Sequence, residues 1–139
     1  MNRLDHAHLF SSDIEKTVEF FTTMFGGTIV YDTELVGQRN VRVDIGGGAV
    51  HVYEQPPRGA GRPLIHHLGI RTDDLDALVA HMRAQGAAFP RGIREAPAFR
   101  YTMCEAPDGL LLELYQVKPG GEWMVGAGEP PPQDPAAAL

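Results

Sequence analysis

Three histidines and one glutamate carry the chemistry this sequence offers: His6, His51, His67 and Glu113. Three imidazoles and a carboxylate make an N3O donor set. Such a set suits Fe(II), Mn(II), Co(II), Ni(II) or Zn(II), whereas magnesium and calcium prefer all-oxygen shells. His6, His67 and Glu113 by themselves are a 2-His-1-carboxylate set, which leaves open positions on non-haem iron. With His51 added, an octahedral ion keeps two open positions, and adjacent ones suit a substrate chelated through neighbouring oxygens. A divalent transition metal held in this way acts as a Lewis acid, stabilising an enolate or enediolate when a proton leaves the adjacent carbon. Taken singly, each histidine reads more readily as a hydrogen-bonded strand residue than as a ligand, and Glu113 as a solvent-facing one. Their shared placement sets the four apart.

That placement comes from a chain that repeats itself. Apolar Ile14, Val18, Phe21 and Phe25 follow one another at helical spacing, and Gly26-Gly27 ends the segment. Ser12 and Glu15 read as a capping box with Ser12 as N-cap. A second helix begins near Thr72-Asp73-Asp74, carries Leu75, Leu78, Val79 and Met82, and stops at Gly86. Strand-like stretches precede the helices at Leu4 to Phe10 and Leu64 to Ile70. Further strands follow at Thr28 to Tyr31, Gln38 to Ile45 and Ala49 to Glu54, then at Ala88 to Ile93, Arg100 to Glu105 and Leu110 to Gln116. Gly46-Gly47-Gly48 and Pro107-Asp108-Gly109 supply the final hairpin turns. His6 and His67 stand 61 positions apart, as do Asp13 and Asp74, and the last strands align at an offset of 62. Each half therefore reads βαβββ, over about 3–55 and 64–117, with Pro56 to Pro63 as linker. A half of about 55 residues is marginal alone, so the two must share a surface.

Alternation along the strands then assigns faces. His6 and His8 share a face with Leu4 and Phe10. Val50 and Val52 cover the helix, which turns His51 the other way. Leu64, His66, Leu68 and Ile70 form a helix-facing row opposite His67, and Leu110, Leu112 and Leu114 do the same opposite Glu113. All four candidates thus lie on faces away from the helices, on the first and last strand of each half. His8 reads as a cavity residue, His66 as a sheet or interface residue and His81 as a helix-surface one. Arg39, Arg42, Arg100 and Tyr101 fall on middle strands, where they would bind an anionic or carbonyl substrate or stand as solvated edge residues. Cys104, without a partner to lower its pKa, reads as structural.

Composition narrows the classes. The 139 residues are 43% hydrophobic, enough for one domain, placed over 1–120. The Pro/Gly/Ala-rich end, 121–139, offers little to bury and is expected to be a disordered tail. A net charge of −6 without a basic cluster speaks against nucleic acid. Apolar runs no longer than about that of Ala77 to Ala80 speak against a membrane span. The start MNRLDHAHLF has no apolar core of a signal peptide, and a single cysteine fits a reducing cytoplasm.

The segments LDHAHLFSSDIEKTVEFFTTMFGG, IHHLGIRTDDLDALVAHMRAQGA and APDGLLLELYQ resemble the vicinal oxygen chelate superfamily of glyoxalases, bleomycin- and fosfomycin-resistance proteins and extradiol dioxygenases. The resemblance implies an α+β fold in which two βαβββ modules form an open, cup-shaped mixed sheet with the helices on its outer face. It implies a metal in the cup, held from the first and last strands at His6, His51, His67 and Glu113. It also implies a small-molecule substrate and a homodimer, whose modules sometimes pair across chains. Members differ in their chemistry. Glyoxalase I usually has a carboxylate where His51 stands, so the resemblance makes Glu113 the catalytic base, acting alone and by leaving the metal. Gln38 stands where methylmalonyl-CoA epimerase has its glutamate base, and an amide takes no proton. Extradiol enzymes match at His6, His67 and Glu113 but are often about twice this length. The resemblance therefore implies a metal-dependent lyase or isomerase, with an extradiol-type Fe(II) dioxygenase and a metal-free resistance-type binding protein as alternatives.

Overall fold

The computed structural model describes residues 5–35, 37–59, 65–125 and 127–129. Leu4, Leu64, the linker stretch 60–63 and residues 130–139 of the expected tail at 121–139 lie outside the described residues. The first half contains β1 (His6–Ser11), α1 (Ile14–Phe25), β2 (Thr28–Leu35), β3 (Gln38–Ile45) and β4 (Gly48–Glu54). The second contains β5 (Leu68–Arg71), α2 (Leu75–Ala84), β6 (Arg94–Glu95), β7 (Phe99–Glu105) and β8 (Leu111–Val117). Short 3-10 turns span Pro107–Gly109 and Glu122–Val125. Each half is a four-stranded mixed sheet with the same order, β1-β4-β3-β2 and β5-β8-β7-β6. In each, the first strand runs parallel to the last and the other pairs are antiparallel. This is the expected pair of βαβββ modules, and neither sheet closes into a barrel.

Both helices start alike. Asp13 and Asp74 adopt the same extended backbone, φ −142° and ψ 94°, and their carboxylates accept from the N–H of Lys16 and Ala77. These caps satisfy a backbone donor and place negative charge at the positive end of the helix. The N-cap of α1 is therefore Asp13 rather than Ser12. Ser12 instead donates its backbone N–H to Asp108 Oδ2, across the halves, at 3.1 Å. Two-residue turns with positive φ at both Gly46 and Gly47 join β3 to β4, the backbone that suits the twist of a hairpin. At Gly27 the chain passes so close to Val43 that a Cβ would lie 2.6 Å from its Cγ1.

Two expected strands are corrected. Ala88 to Ile93 is irregular, and pairing is confined to Arg94–Glu95. Pro90 has no N–H for a ladder and Gly92 takes φ +61°, so Phe89 turns inward and is buried instead. The first strand of the second half begins at Leu68, which leaves His66 and His67 in the approach to it.

Each half has its own apolar cluster. Ile14, Val18 and Phe21 pack on Val41, Val43, Val50 and Val52, while Leu75, Val79 and Met82 pack with Phe89, Cys104, Leu112 and Leu114. Phe20, Phe25, Leu68 and Leu110 touch both clusters and form the shared surface that small halves require. His81, exposed on α2, donates from Nε2 to the carbonyl of Thr23 at 2.8 Å and so ties the helices together. Cys104 is buried, which pushes its thiol up to about 11, in keeping with a structural role.

Candidate metal centre

Register places the candidate residues more tightly than alternation does. In the first half, His8 lies opposite His51, Arg42 pairs with His51, and Tyr31 with Arg42, which makes a row Tyr31–Arg42–His51–His8 across the inner face. In the second, Gly69 lies opposite Glu113 and Met103 pairs with Glu113. Gly69 thus stands where His8 stands, and Glu113 where His51 stands. His6 and His67 each precede the row by two residues. The buried Val50, Val52, Leu112 and Leu114 face the helices, so His51 and Glu113 project the other way.

His6 is opposite Ala49, whose small side chain leaves room for its ring to lie on that of His51, with centroids 3.7 Å apart and planes 2° from parallel. In that stack the in-plane lone pairs run side by side, so one ring must turn for both to meet at one ion. Asp5 joins them: ligand atoms of Asp5, His6 and His51 all lie within 4.8 Å of one another. Asp5 Oδ2 accepts from His6 Nδ1 at 2.7 Å and from Arg42 Nη1 at 2.9 Å. These donors, His6 foremost, hold its carboxyl at about 2. His67 Nε2 stands 3.9 Å from Glu113 Oε2, and neither joins the trio of the first half. The candidates therefore occur as two half-sites. A cavity of about 250 Å³ lies between the halves, lined by Asp5, His6 and Ala49 on one side and by Leu68, Gly69 and Ile70 on the other. A larger groove of about 480 Å³, between α1 and the end of α2, contains no histidine.

Arg42 is the most constrained cation of the site. Its Nε donates to Asp44 Oδ1 at 2.8 Å and its Nη1 lies 3.2 Å from His51 Nε2. A guanidinium only donates, so that nitrogen accepts, and neutral His51 carries its proton on Nδ1, 3.3 Å from Tyr31 Oη. Burial first, then the charges of His6 and Arg42, lower the proton affinity of His51. Burial and His6 do the same for His8. Neutral imidazoles are the form that binds metal. Ligation by His51 Nε2 requires Arg42 to yield that contact while Asp44 retains it.

The same shifts set a pH dependence. The unfolded chain, with ordinary histidines near 6.5, takes up protons on residues 8 and 51 before the folded one does. Stability then rises with pH through this range and falls on acidification. Urea midpoints of the metal-free protein should drop from about pH 7 to about pH 5.5, above the window of the lowered carboxylates. Replacing both His8 and His51 with glutamine should flatten that slope. An unchanged slope would assign the linkage to other groups.

Arg39 and Arg100 are held in ion pairs with carboxylates of their own halves. Arg39 pairs with Asp32 and Glu15, Arg100 with Asp76 and Glu95, and each fastens a middle strand to the first turn of its helix. Tyr101 lies on the inner face, 5.4 Å from the ring of Phe99 and paired with Tyr115. With Phe10, Tyr31 and Tyr53 these give the inner faces an aromatic lining. Asn40, 3% exposed on β3 opposite Tyr53, has an Oδ1 with no hydrogen-bond partner among the described residues.

Asp5 is the site residue that sequence reasoning passed over. It lies one position before the strand, where alternation would point it away from His6. Its one signal was adjacency to a candidate ligand.

A model of the Glyoxalase/Bleomycin resistance protein/Dioxygenase superfamily matches residues 3–114. The uncharacterized protein YaeR of Escherichia coli is 27% identical over 126 residues, covering 84% of this chain and 97% of its own. The structure of TnmS3, an antibiotic binding protein from Streptomyces sp. CB03234, superposes with a TM-score of 0.69 at 28% identity, over 85% of this chain and 98% of that one. FosX, a fosfomycin resistance protein of Listeria monocytogenes solved with Mn(II) and sulfate, superposes with a TM-score of 0.69 at 17% identity, over 88% and 98% of the two chains.

Proposed function

The chain belongs to the Glyoxalase/Bleomycin resistance protein/Dioxygenase superfamily, and on that premise we propose that it is a metal-dependent enzyme acting on a small molecule through two neighbouring oxygens. Proton transfer of the lyase or isomerase type is the reaction we favour. The observation that carries this reading is the matched register of the half-sites, His51 opposite His8 and Glu113 opposite Gly69, with His6 of one half and Gly69 of the other lining the cavity between them.

The donor set fits a transition metal. Its imidazoles include one held neutral, and His67 and Glu113 are separated by 3.9 Å, a span that two donors each about 2.1 Å from one ion can bridge. His6, His51, His67 and Glu113 would hold the ion. When bound, a divalent transition metal (Fe, Mn, Ni, Co or Zn) supplies Lewis-acid polarisation of the chelated oxygens. The remaining chemistry belongs to the chain. The Glu113 carboxylate takes the proton from the carbon beside the substrate carbonyl, and Gly69 across from it leaves room for that carbon. Aromatic Phe10, Tyr53, Tyr101 and Tyr115 flank the apolar part of the substrate.

Two other readings each have an observation in favour. The 2-His-1-carboxylate subset suits an extradiol-type Fe(II) dioxygenase. The aromatic lining, with the likeness to an antibiotic binding protein, suits metal-free sequestration of a small molecule. The same proposal includes a single domain over 1–120 with a tail at 121–139, a cytoplasmic setting and a homodimer. Exposed Ile29, Val30 and Ile65 offer the dimer apolar surface. Among the described residues no helix is long and apolar enough to cross a membrane.

Elemental analysis of protein purified without added metal, followed by Mn(II) and Co(II) titration, tests the reading. Close to one equivalent per site is expected, because ligands of this kind bind tightly. Below about a tenth of an equivalent, with no uptake on titration, the sequestration reading replaces it. Oxygen uptake with catechols, set against hemithioacetal isomerisation, then separates the two enzyme readings.

A further inference from the structure

An imidazole binds metal well only when its other nitrogen is held, because that bond fixes both the tautomer and the direction of the ring. His6, which opens β1, and His67, which immediately precedes β5, have such a holder in the same place. Asp5 immediately precedes His6, and His66 immediately precedes His67, the two holders being 61 positions apart like the histidines they serve. His6 Nδ1 contacts Asp5 Oδ2 at 2.7 Å, and His67 Nδ1 contacts His66 Nδ1 at 2.8 Å. In each half the held ring sits beside the other candidate ligand: His67 Nε2 stands 3.9 Å from Glu113 Oε2, and the His6 ring stacks on that of His51.

From this repeated contact we infer that Asp5 and His66 are positioning residues, which accept the Nδ1 proton of His6 and His67 and so present both Nε2 lone pairs to one metal ion. The inference rests on the metal-site reading above and deepens it. It also assigns Asp5 a role other than that of a fifth donor. Its Oδ2 is already shared between His6 and Arg42, whose guanidinium keeps the carboxylate turned toward the Nδ1 side. His66 does in the second half, with a neutral ring nitrogen, what Asp5 does in the first. The carboxylate accepts more strongly, so the half built around Asp5 is the more rigid of the two.

Co(II) titration followed by visible absorbance tests this in the full-length chain, alongside long-range nitrogen-15 correlation spectra of the metal-free protein, which report the histidine tautomers. In the parent protein His6 and His67 should carry their protons on Nδ1. Asp5→Ala and His66→Ala should each weaken Co(II) binding about 10- to 100-fold and let the neighbouring ring populate the other tautomer. Asp5→Asn and His66→Gln keep an acceptor oxygen and should recover most of the affinity. Asp5 is exposed and precedes β1, so these variants leave both apolar clusters intact. Affinity and tautomers unchanged in the alanine variants, while His6→Ala abolishes binding, would overturn the inference and leave the metal reading standing. Equal losses in Asp5→Ala and Asp5→Asn with the His6 tautomer undisturbed would make Asp5 a ligand instead. If His6→Ala itself leaves Co(II) binding untouched, the metal reading falls and this inference with it.

Discussion

Exchanging His67 for alanine is expected to lower Mn(II) or Co(II) affinity by about 100-fold or more and to abolish turnover. The size follows from the architecture of the site. Each half supplies two donors, so losing His67 leaves Glu113 as the sole contribution of the second half. A loss of an orienting neighbour alone costs roughly 10- to 100-fold in such sites, and loss of the donor itself exceeds that. A water replacing the imidazole would leave Glu113 bound differently, and the same carboxylate is the proposed base. Binding and proton transfer should therefore fail together. His81→Ala is the matched control, because His81 lies on α2 and bonds the Thr23 carbonyl well away from the inner faces. Its metal content should equal that of the parent. Calorimetric titration of the two variants side by side decides the matter: undiminished binding in His67→Ala would remove His67 from the site and leave the trio Asp5, His6 and His51 as the alternative centre.

What the sequence could reveal of this site was direction, and what it could not reveal was distance. Period-two alternation, anchored by Val50 and Val52 in one half and by Leu112 and Leu114 in the other, placed His51 and Glu113 on the inner faces. The buried rows agree. Alternation says nothing of how far apart two separately hydrogen-bonded sheets lie, so the division into half-sites became visible only with coordinates. Asp5 was illegible because it lies outside the strand, where alternation has no authority. The arginines were illegible for a different reason. Arg39 and Arg100 find their carboxylates on other elements, at Glu15 and Asp76, and a sequence pattern does not pair residues across 24 positions. Local chemistry was legible where it acted locally. An aspartate at residues 13 and 74 caps each helix, yet the choice between Ser12 and Asp13 turned on Asp108 drawing the Ser12 N–H across the halves. The strand expected at Ala88 to Ile93 failed where Pro90 and Gly92 outweighed an apolar pattern.

Removing the ring of Phe21 is the second change with a large expected effect, and it tests whether two marginal halves behave as one domain. Phe21 is fully buried at the centre of the first cluster, between the helix face of Ile14 and Val18 and the valines of β3 and β4. Phe20 meets it edge-on at 5.4 Å, and Phe25 lies at 6.2 Å. Phe21→Ala leaves a cavity that the rigid sheet beneath can close only in part, and should cost about 3–5 kcal/mol. Against a typical total of about 5–15 kcal/mol, this is a large share. The damage should not stay in the first half. Phe20 and Phe25, which flank the cavity, are also two of the side chains that pack on the second cluster. Urea unfolding followed by far-ultraviolet dichroism and by the fluorescence of Trp123, which follows β8, should therefore give one coincident transition at lower urea in the variant. His51 stands between Val50 and Val52, two of the side chains that share this cluster with Phe21. Metal affinity should consequently weaken while the fold persists, because the strand that aims the imidazole has lost its backing. Two separated transitions, with the Trp123 signal unmoved, would instead show that the second half stands alone, and the shared surface of Phe20, Phe25, Leu68 and Leu110 would then be a contact without coupling.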